Sequence, residues 1–218
     1  SRRRHTRSLC DWSSDVCSSD LTETLVIADD SADADEVAAD LLAQAEHDPL
    51  ATSILITTHA ALASEVAEAV EAQLRTLPTR DVARASLSAR GGAVIVSDLI
   101  AALRIANDFA PEHLCLLVRD ARSWVGEVHH AGGVFVGANS PEAAGDYVAG
   151  PSHVMPTGRT ARFASPLSVA DFIKRISVIG LSSRRLADIG MVAARLARAE
   201  GFEAHARAVE IRLRPQDR

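Results

Sequence analysis

Short apolar runs alternate with stretches of helical period along most of this chain. Residues 25–28 (LVIA) form an apolar run closed by Asp29, Asp30 and Ser31, the pattern of a parallel strand buried on both faces. Over 34–46, Val37, Leu41, Leu42 and Ala45 recur at helical spacing, and acidic residues crowd the first turn, where they face the positive end of the helix dipole. Residues 54–57 repeat the strand signal, and roughly 59–74 repeat the helix. A third strand is expected at 93–97 (AVIVS), followed by a helix over 98–106. Two more strands are expected at 114–118 and 134–136, the last entered through Gly132 and Gly133. This β-α alternation predicts an α/β fold of partial, doubly wound (incomplete Rossmann-like) parallel sheets. It is divided here into one Rossmann-like piece over 22–106 and a second, carrying an active-site loop, over 107–167.

From Ser168 the period changes. Ser168 and Asp171 resemble a capping box ahead of a stripe of Val169, Phe172, Ile173 and Ile176. A second amphipathic helix is expected over 183–200, with Leu186, Ile189, Val192 and Leu196 on one side. Residues 168–218 therefore read as a helical C-terminal segment with too few strands for a sheet of its own, to be docked elsewhere, as on a second subunit.

Composition narrows the function classes. A net charge of −6 argues against a nucleic-acid partner, whose phosphates demand a basic face. No apolar run approaches a membrane span, so a membrane role is not expected. Residues 1–20 have no strand or helix period and hold two of the three cysteines, Cys10 and Cys17. The stretch DWSSDVCSSDL, Asp11 to Leu21, resembles the conceptual translation of a sequencing-adapter oligonucleotide. On that reading residues 1–21 are a disordered, non-native tail, and native sequence begins near Thr22 without its natural N-terminal part. The one remaining cysteine, Cys115, lies in the run HLCLLV, where a small buried hydrophobe is expected; a lone thiol suits the reducing cytoplasm.

Four clusters could carry chemistry. Gln44 and His47, at i and i+3 near a helix end, can converge on a single ion, although taken alone a solvated helix end accounts for them better. Glu112 and His113, after Pro111 at a strand edge, suit proton transfer because imidazole titrates near neutral pH, although a surface loop suffices. Gly145-Asp146-Tyr147, Gly150-Pro151-Ser152-His153 and Pro156-Thr157-Gly158 mark an irregular structured loop, a frequent home of functional groups and also a plain connection. Glu200 and His205 flank Gly201, a natural helix stop. There is no GxGxxG, Walker loop, GxSxG elbow or CxxC pair, so no self-contained dinucleotide fingerprint is visible.

In order, the series Q-A-E-H, N-D-F-A-P-E-H-L, A-G-x-x-F-x-G, G-D-Y-x-A-G-P-x-H-x-x-P-T and A-E-G-F-x-A-H resembles histidinol dehydrogenase, over about Thr22 to the end and thus the C-terminal half of that family's chain. The resemblance implies oxidation of L-histidinol to L-histidine with two NAD through a bound aldehyde. It implies one zinc ion held by Gln44, His47, Asp146 and His205, the last supplied across a homodimer by a swapped C-terminal segment together with Glu200. It implies proton transfer by Glu112 and His113, and substrate contacts at Thr22, Gln44, His47, His113, Asp146, His153, Glu200 and His205. Thr22 departs from the family's commoner Ser but keeps the hydroxyl. The NAD-gripping positions fall in the missing N-terminal half, so the chain by itself is expected to be inactive. The donor set is consistent with this chemistry: two imidazoles, a carboxylate and an amide leave room for substrate on the metal, and zinc, being redox-inert, leaves the electrons to NAD. Other readings stay open: a related zinc-dependent dehydrogenase of another amino or sulfonated alcohol, a non-catalytic zinc-binding dimerisation module, or a plain α/β domain.

Overall fold

In the computed structural model, which describes residues 22–214, all five expected apolar runs are strands. The adapter-like stretch, with Cys10 and Cys17, lies outside the described residues. The order is β1 (Glu23–Ala28), α1 (Ala34–Ala45), β2 (Thr52–Thr57), α2 (Ala60–Leu74), α3 (Arg80–Arg90), β3 (Gly92–Ile95), α4 (Leu99–Phe109), β4 (His113–Leu117), α5 (Ala121–Trp124), β5 (Gly133–Val136) and α6 (Glu142–Tyr147). The strands make one parallel sheet in the order β3-β2-β1-β4-β5. The division expected between residues 106 and 107 is therefore absent. β4 pairs along the whole of β1, from Thr24↔His113 to Ala28↔Leu117, and so continues the first sheet instead of opening a second.

Alternation along the strands explains why the sheet is covered on both sides. Val26, Ala28, Leu55, Cys115 and Leu117 face α1 and α2, while Leu25, Ile27, Ile56, Leu114 and Leu116 face α4 and α5. A side-chain period of two forces this split, and near-continuous apolar strands are its requirement. Helix starts are set locally. The Asp33 carboxylate accepts from the amides of Asp35 and Glu36, and that of Asp98 accepts from Ala101, giving free helix-start donors a partner.

The chain divides into two compact units, one running through Phe172 and the other from Ile173. The expected helix beginning at Ser168 is not formed. Ser168 N and Oγ both donate to Asp171 Oδ2, as a helix start would have it, but only a 3₁₀ turn, Val169–Phe172, follows. Val169, Phe172, Ile173 and Ile176 are all exposed, so nothing in the described chain rewards continuing the turn.

The second unit is a helical pair, α7 (Ser183–Ala199) and α8 (Glu203–Leu213), turned at Gly201 in the left-handed region (φ 84°). Its seam is Gly190, Ala194 and Ala206 rather than the expected stripe, since Val192 and Leu196 are exposed. A Cβ at position 190 would stand 3.0 Å from both Val209 and Leu213. Arg198 ties the two helices through Glu203 and Glu210.

Candidate active site

Open α/β sheets usually bind ligands beyond the carboxyl ends of the strands, where the strand order reverses. Here the reversal lies between β1 and β4, and its carboxyl end is tied shut. The buried Asp29 carboxylate accepts from Ser31 N and Oγ at 2.9 and 2.5 Å and from Arg119 N at 2.9 Å. Burial opposes its ionisation, but these hydrogen bonds and the Arg119 charge outweigh it and hold the pKa below the ordinary value. The predicted chemistry gathers at the opposite, amino edge.

At that edge Thr22 immediately precedes β1, Gln44 lies in the last turn of α1, Glu112 immediately precedes β4 and His113 begins it. A hydroxyl relay orients them. Thr22 Oγ1 donates to Glu112 Oε2 at 2.8 Å, so its lone pairs are left to accept from Gln44 Nε2. That fixes the amide, and Gln44 Oε1 is consequently buried with no hydrogen-bond partner. Glu112 Oε2 also accepts from Glu23 N at 3.2 Å. An unmade acceptor in a buried site is costly, and an acceptor kept free by its own neighbours is what an oxygen ligand for a cation requires.

The Pro111-Glu112-His113 entry is held by the two glycines ahead of β5. Gly132 N donates to Pro111 O at 2.9 Å and Gly133 N to Glu112 O at 2.7 Å. A Cβ at Gly133 would meet only the flexible end of Met155, at 2.9 Å from Sδ, whereas one at Gly132 would lie 2.6 Å from the Glu112 carbonyl oxygen, so that position needs glycine for close approach. Gly145 plays the same part in the G-D-Y motif. A Cβ there would come within 2.6 Å of Phe135, whose ring lies 5.8 Å from that of His113. The G-D-Y residues belong to the short helix α6, not to irregular loop, and the irregular stretch begins after Tyr147.

Burial sets the electrostatics. His113 is 4% exposed, and burial pushes its pKa down to about 4 against the pull of the Asp146 charge. Burial pushes Glu112 up to about 7, opposed by its bonds to Thr22 and Glu23 N and reinforced by the charges of Glu23 and Asp146. The imidazole is therefore a neutral base across the physiological range, beside a carboxyl group that exchanges its proton near neutrality. Neither His113 nitrogen has a hydrogen-bond partner.

Asp146 is half-buried on α6, and its charge reaches Glu112, His113 and Glu142. His47 sits exposed in the turn after α1, and its charge also acts on His113. Thr22, Gln44, His47, Glu112, His113 and Asp146 thus belong to one neighbourhood. His153 is exposed in the loop after α6, which is anchored by buried Met155 instead. Glu200 and His205 belong to the second unit, where both are exposed and His205 lies 5.2 Å from the ring of Phe202. Among the described residues no three His, Cys, Asp or Glu side chains are arranged to hold a metal. The expected ligand set brings only His47 and Asp146 of those types to this unit, with Gln44 as the amide.

Two acids were not singled out from the sequence. Glu142, 2% exposed, accepts from Thr24 Oγ1 and places Oε1 3.4 Å from His113 Nδ1. Its i, i+4 spacing with Asp146 is a sequence signal that both face one way. Asp40, on the α1 turn preceding Gln44, is raised to about 6 by burial and by the charge of Glu36. Because folding raises this acid's pKa, its penalty is absent below the unfolded value and complete above about 6. Asp40→Asn is accordingly expected to raise the denaturation midpoint in neutral buffer and leave it unchanged in strongly acidic buffer, as followed by circular dichroism.

The family model for histidinol dehydrogenase matches residues 16–213. The histidinol dehydrogenase of Deinococcus radiodurans is 57% identical over 195 residues, which cover 88% of this chain and 44% of that protein. That of Moorella thermoacetica is 54% identical over 192 residues, 88% of this chain and 45% of that one. The crystal structure of histidinol dehydrogenase from Elizabethkingia anophelis superposes with a TM-score of 0.85 at 38% identity, covering 88% of this chain and 44% of that one. The chain thus spans a little under half the length of the relatives it matches.

Proposed function

Because this chain belongs to the histidinol dehydrogenase family, we propose that it is the acid–base and metal-holding segment of an enzyme oxidising L-histidinol to L-histidine. The observation that carries this reading is the buried Glu112–His113 pair, whose imidazole nitrogens make no hydrogen bond, with Glu112 linked through Thr22 to Gln44, whose Oε1 is likewise left without one. An enzyme that removes a hydroxyl proton needs such a neutral base with one nitrogen left free for the substrate.

The residues fit a divalent cation: an orphaned amide oxygen and a carboxylate and imidazole of mixed N/O character suit zinc that keeps a position open for substrate. Gln44, His47 and Asp146 would hold it, with His205 lent by a second copy of the chain. Bound zinc supplies a Lewis acid that polarises and orients the substrate oxygen, and NAD supplies the hydride acceptor. His113 takes the hydroxyl proton in the first oxidation. Glu112, with a pKa near neutrality, then deprotonates the water that adds to the aldehyde carbon. Asp146, together with Glu200 from the second copy, suits the cationic amine of the substrate, and Thr22 and His153 complete its contacts.

The apolar side chains left exposed from Val169 to Leu181 and on α7 support the dimer in this reading, because they offer a face for a partner. Among the described residues no helix is long and apolar enough to cross a membrane. Cys115, buried and free and the one cysteine among the described residues, suits a cytoplasmic setting.

The test is a substrate panel on the full-length protein carrying this segment. L-histidinol is expected to reduce two equivalents of NAD per L-histidine formed, and the present chain alone is expected to reduce none. Turnover of another amino or sulfonated alcohol in preference to histidinol would overturn the substrate assignment.

A further inference from the structure

Glu142 is a buried acid for which the proposed chemistry has no use. It rises from the first turn of α6 beneath the register pair Thr24↔His113, where β1 and β4 lie side by side. Its two oxygens are divided between those residues. Oε2 accepts from the Thr24 hydroxyl, and Oε1 lies 3.4 Å from His113 Nδ1. Glu112 Oε2 is farther from the same nitrogen, at 3.7 Å, and is already engaged by Thr22 Oγ1 and Glu23 N. The face of the imidazole is confined by Phe135, which Gly145 admits by having no side chain.

The geometry points to Glu142 as the positioning residue of His113: its carboxylate accepts Nδ1–H, turns Nε2 towards the substrate, and leaves that nitrogen as the lone-pair base. This inference rests on the proton-transfer role proposed for His113. Two requirements of a buried base explain why an acid belongs there. An imidazole with two equivalent tautomers presents an N–H instead of a lone pair for part of the time, and an acceptor at Nδ1 removes that state. Once Nε2 takes the hydroxyl proton, the ring carries a positive charge out of contact with water, and an adjacent carboxylate offsets its desolvation. The proton passes from the substrate oxygen to Nε2, while Nδ1–H stays in its hydrogen bond. Thr24 serves by holding the far oxygen, so that the carboxylate cannot rotate away.

Imidazole ¹⁵N chemical shifts of the whole chain, recorded without metal, substrate or NAD at a pH above about 8, where Glu142 is ionised, test this directly. The His113 signals are identified by their loss in His113→Gln. A single tautomer protonated at Nδ1 is expected. Glu142→Gln, which keeps an acceptor oxygen, is expected to retain it. Glu142→Met and Thr24→Val, checked for dispersed backbone amide spectra, are expected to lose it in full and in part. A parent ring protonated at Nε2, or an unchanged tautomer in both Glu142→Met and Thr24→Val, overturns the assignment. The spectra involve no turnover, so a failure here leaves the histidinol reading standing, and an inactive full-length protein leaves this one standing.

Discussion

Replacing His113 with asparagine in the full-length protein is expected to lower turnover of L-histidinol by about 10²–10⁴-fold, the range for losing a positioned general base, with the fold retained. The fold is expected to survive because asparagine is smaller than histidine and its amide can still face Glu142, which lies 3.4 Å from His113 Nδ1 in the parent. Turnover falls because no other group there can serve. Glu112 is held by Thr22 and Glu23 N and serves the later water step, and Glu142 is engaged by Thr24 beneath the ring. Burial already holds His113 neutral down to about pH 4, so the parent enzyme is not expected to lose activity through this residue as the medium is acidified from 7 to 5. Single-turnover rates of the first NADH formed, before the water step, check both statements across that range. A variant with normal turnover would show that His113 is only part of the core.

Leu116→Ala is expected to cost about 2–5 kcal/mol of folding stability, the range for emptying a leucine site in a close-packed core. Leu116 is 1% exposed on β4 and is flanked in register by Ile27 of β1 and Val136 of β5. It sits in the cluster formed with Ala102, Leu103 and Ala106 of α4. Rigid strands lie on both sides, so the vacated volume has no easy means of collapse. Urea denaturation followed by circular dichroism measures the loss. Cys115, the next residue, faces the opposite layer with Val26 and Val37, and the same truncation logic predicts a far smaller effect for Cys115→Ala, which removes a single atom.

The sheet was legible because each strand contains a short apolar run, and α1 and α2 because their buried positions fall at the helical period. α3 escaped notice for a physical reason. RDVARASLSAR buries only Ala83 and Ser86, so its inner face carries no large apolar stripe. The false division at 106/107 came from reading chain order as spatial order: β4 returns to the far side of β1, a step invisible to local pattern. At Ser168 the capping contact was legible, but whether a helix follows depends on packing partners.

The candidate site divides in the same way. Glu112, His113, Gln44 and Asp146 stood out as motif residues, since their types and order persist along the chain. What orients them did not, because it depends on pairing across about ninety residues. Thr22 reaches Glu112, Glu23 reaches it through the backbone, and Thr24 stands beside His113 only once β1 and β4 are zipped. Glu142 looked like an ordinary helix-start acid until the fold placed it under the imidazole. Even the edge of the sheet was unforeseen, since the usual rule favours the end that Asp29 closes.

Anomalous diffraction at the zinc edge from zinc-loaded crystals of the full-length protein asks most directly whether these groups serve one centre. The expected map has one zinc per chain, in contact with Gln44 Oε1, His47 and Asp146 and completed by His205 from the other copy, with His113 close by. Zinc bound at the Asp29 end of the sheet, or held without Gln44 and Asp146, would contradict the account.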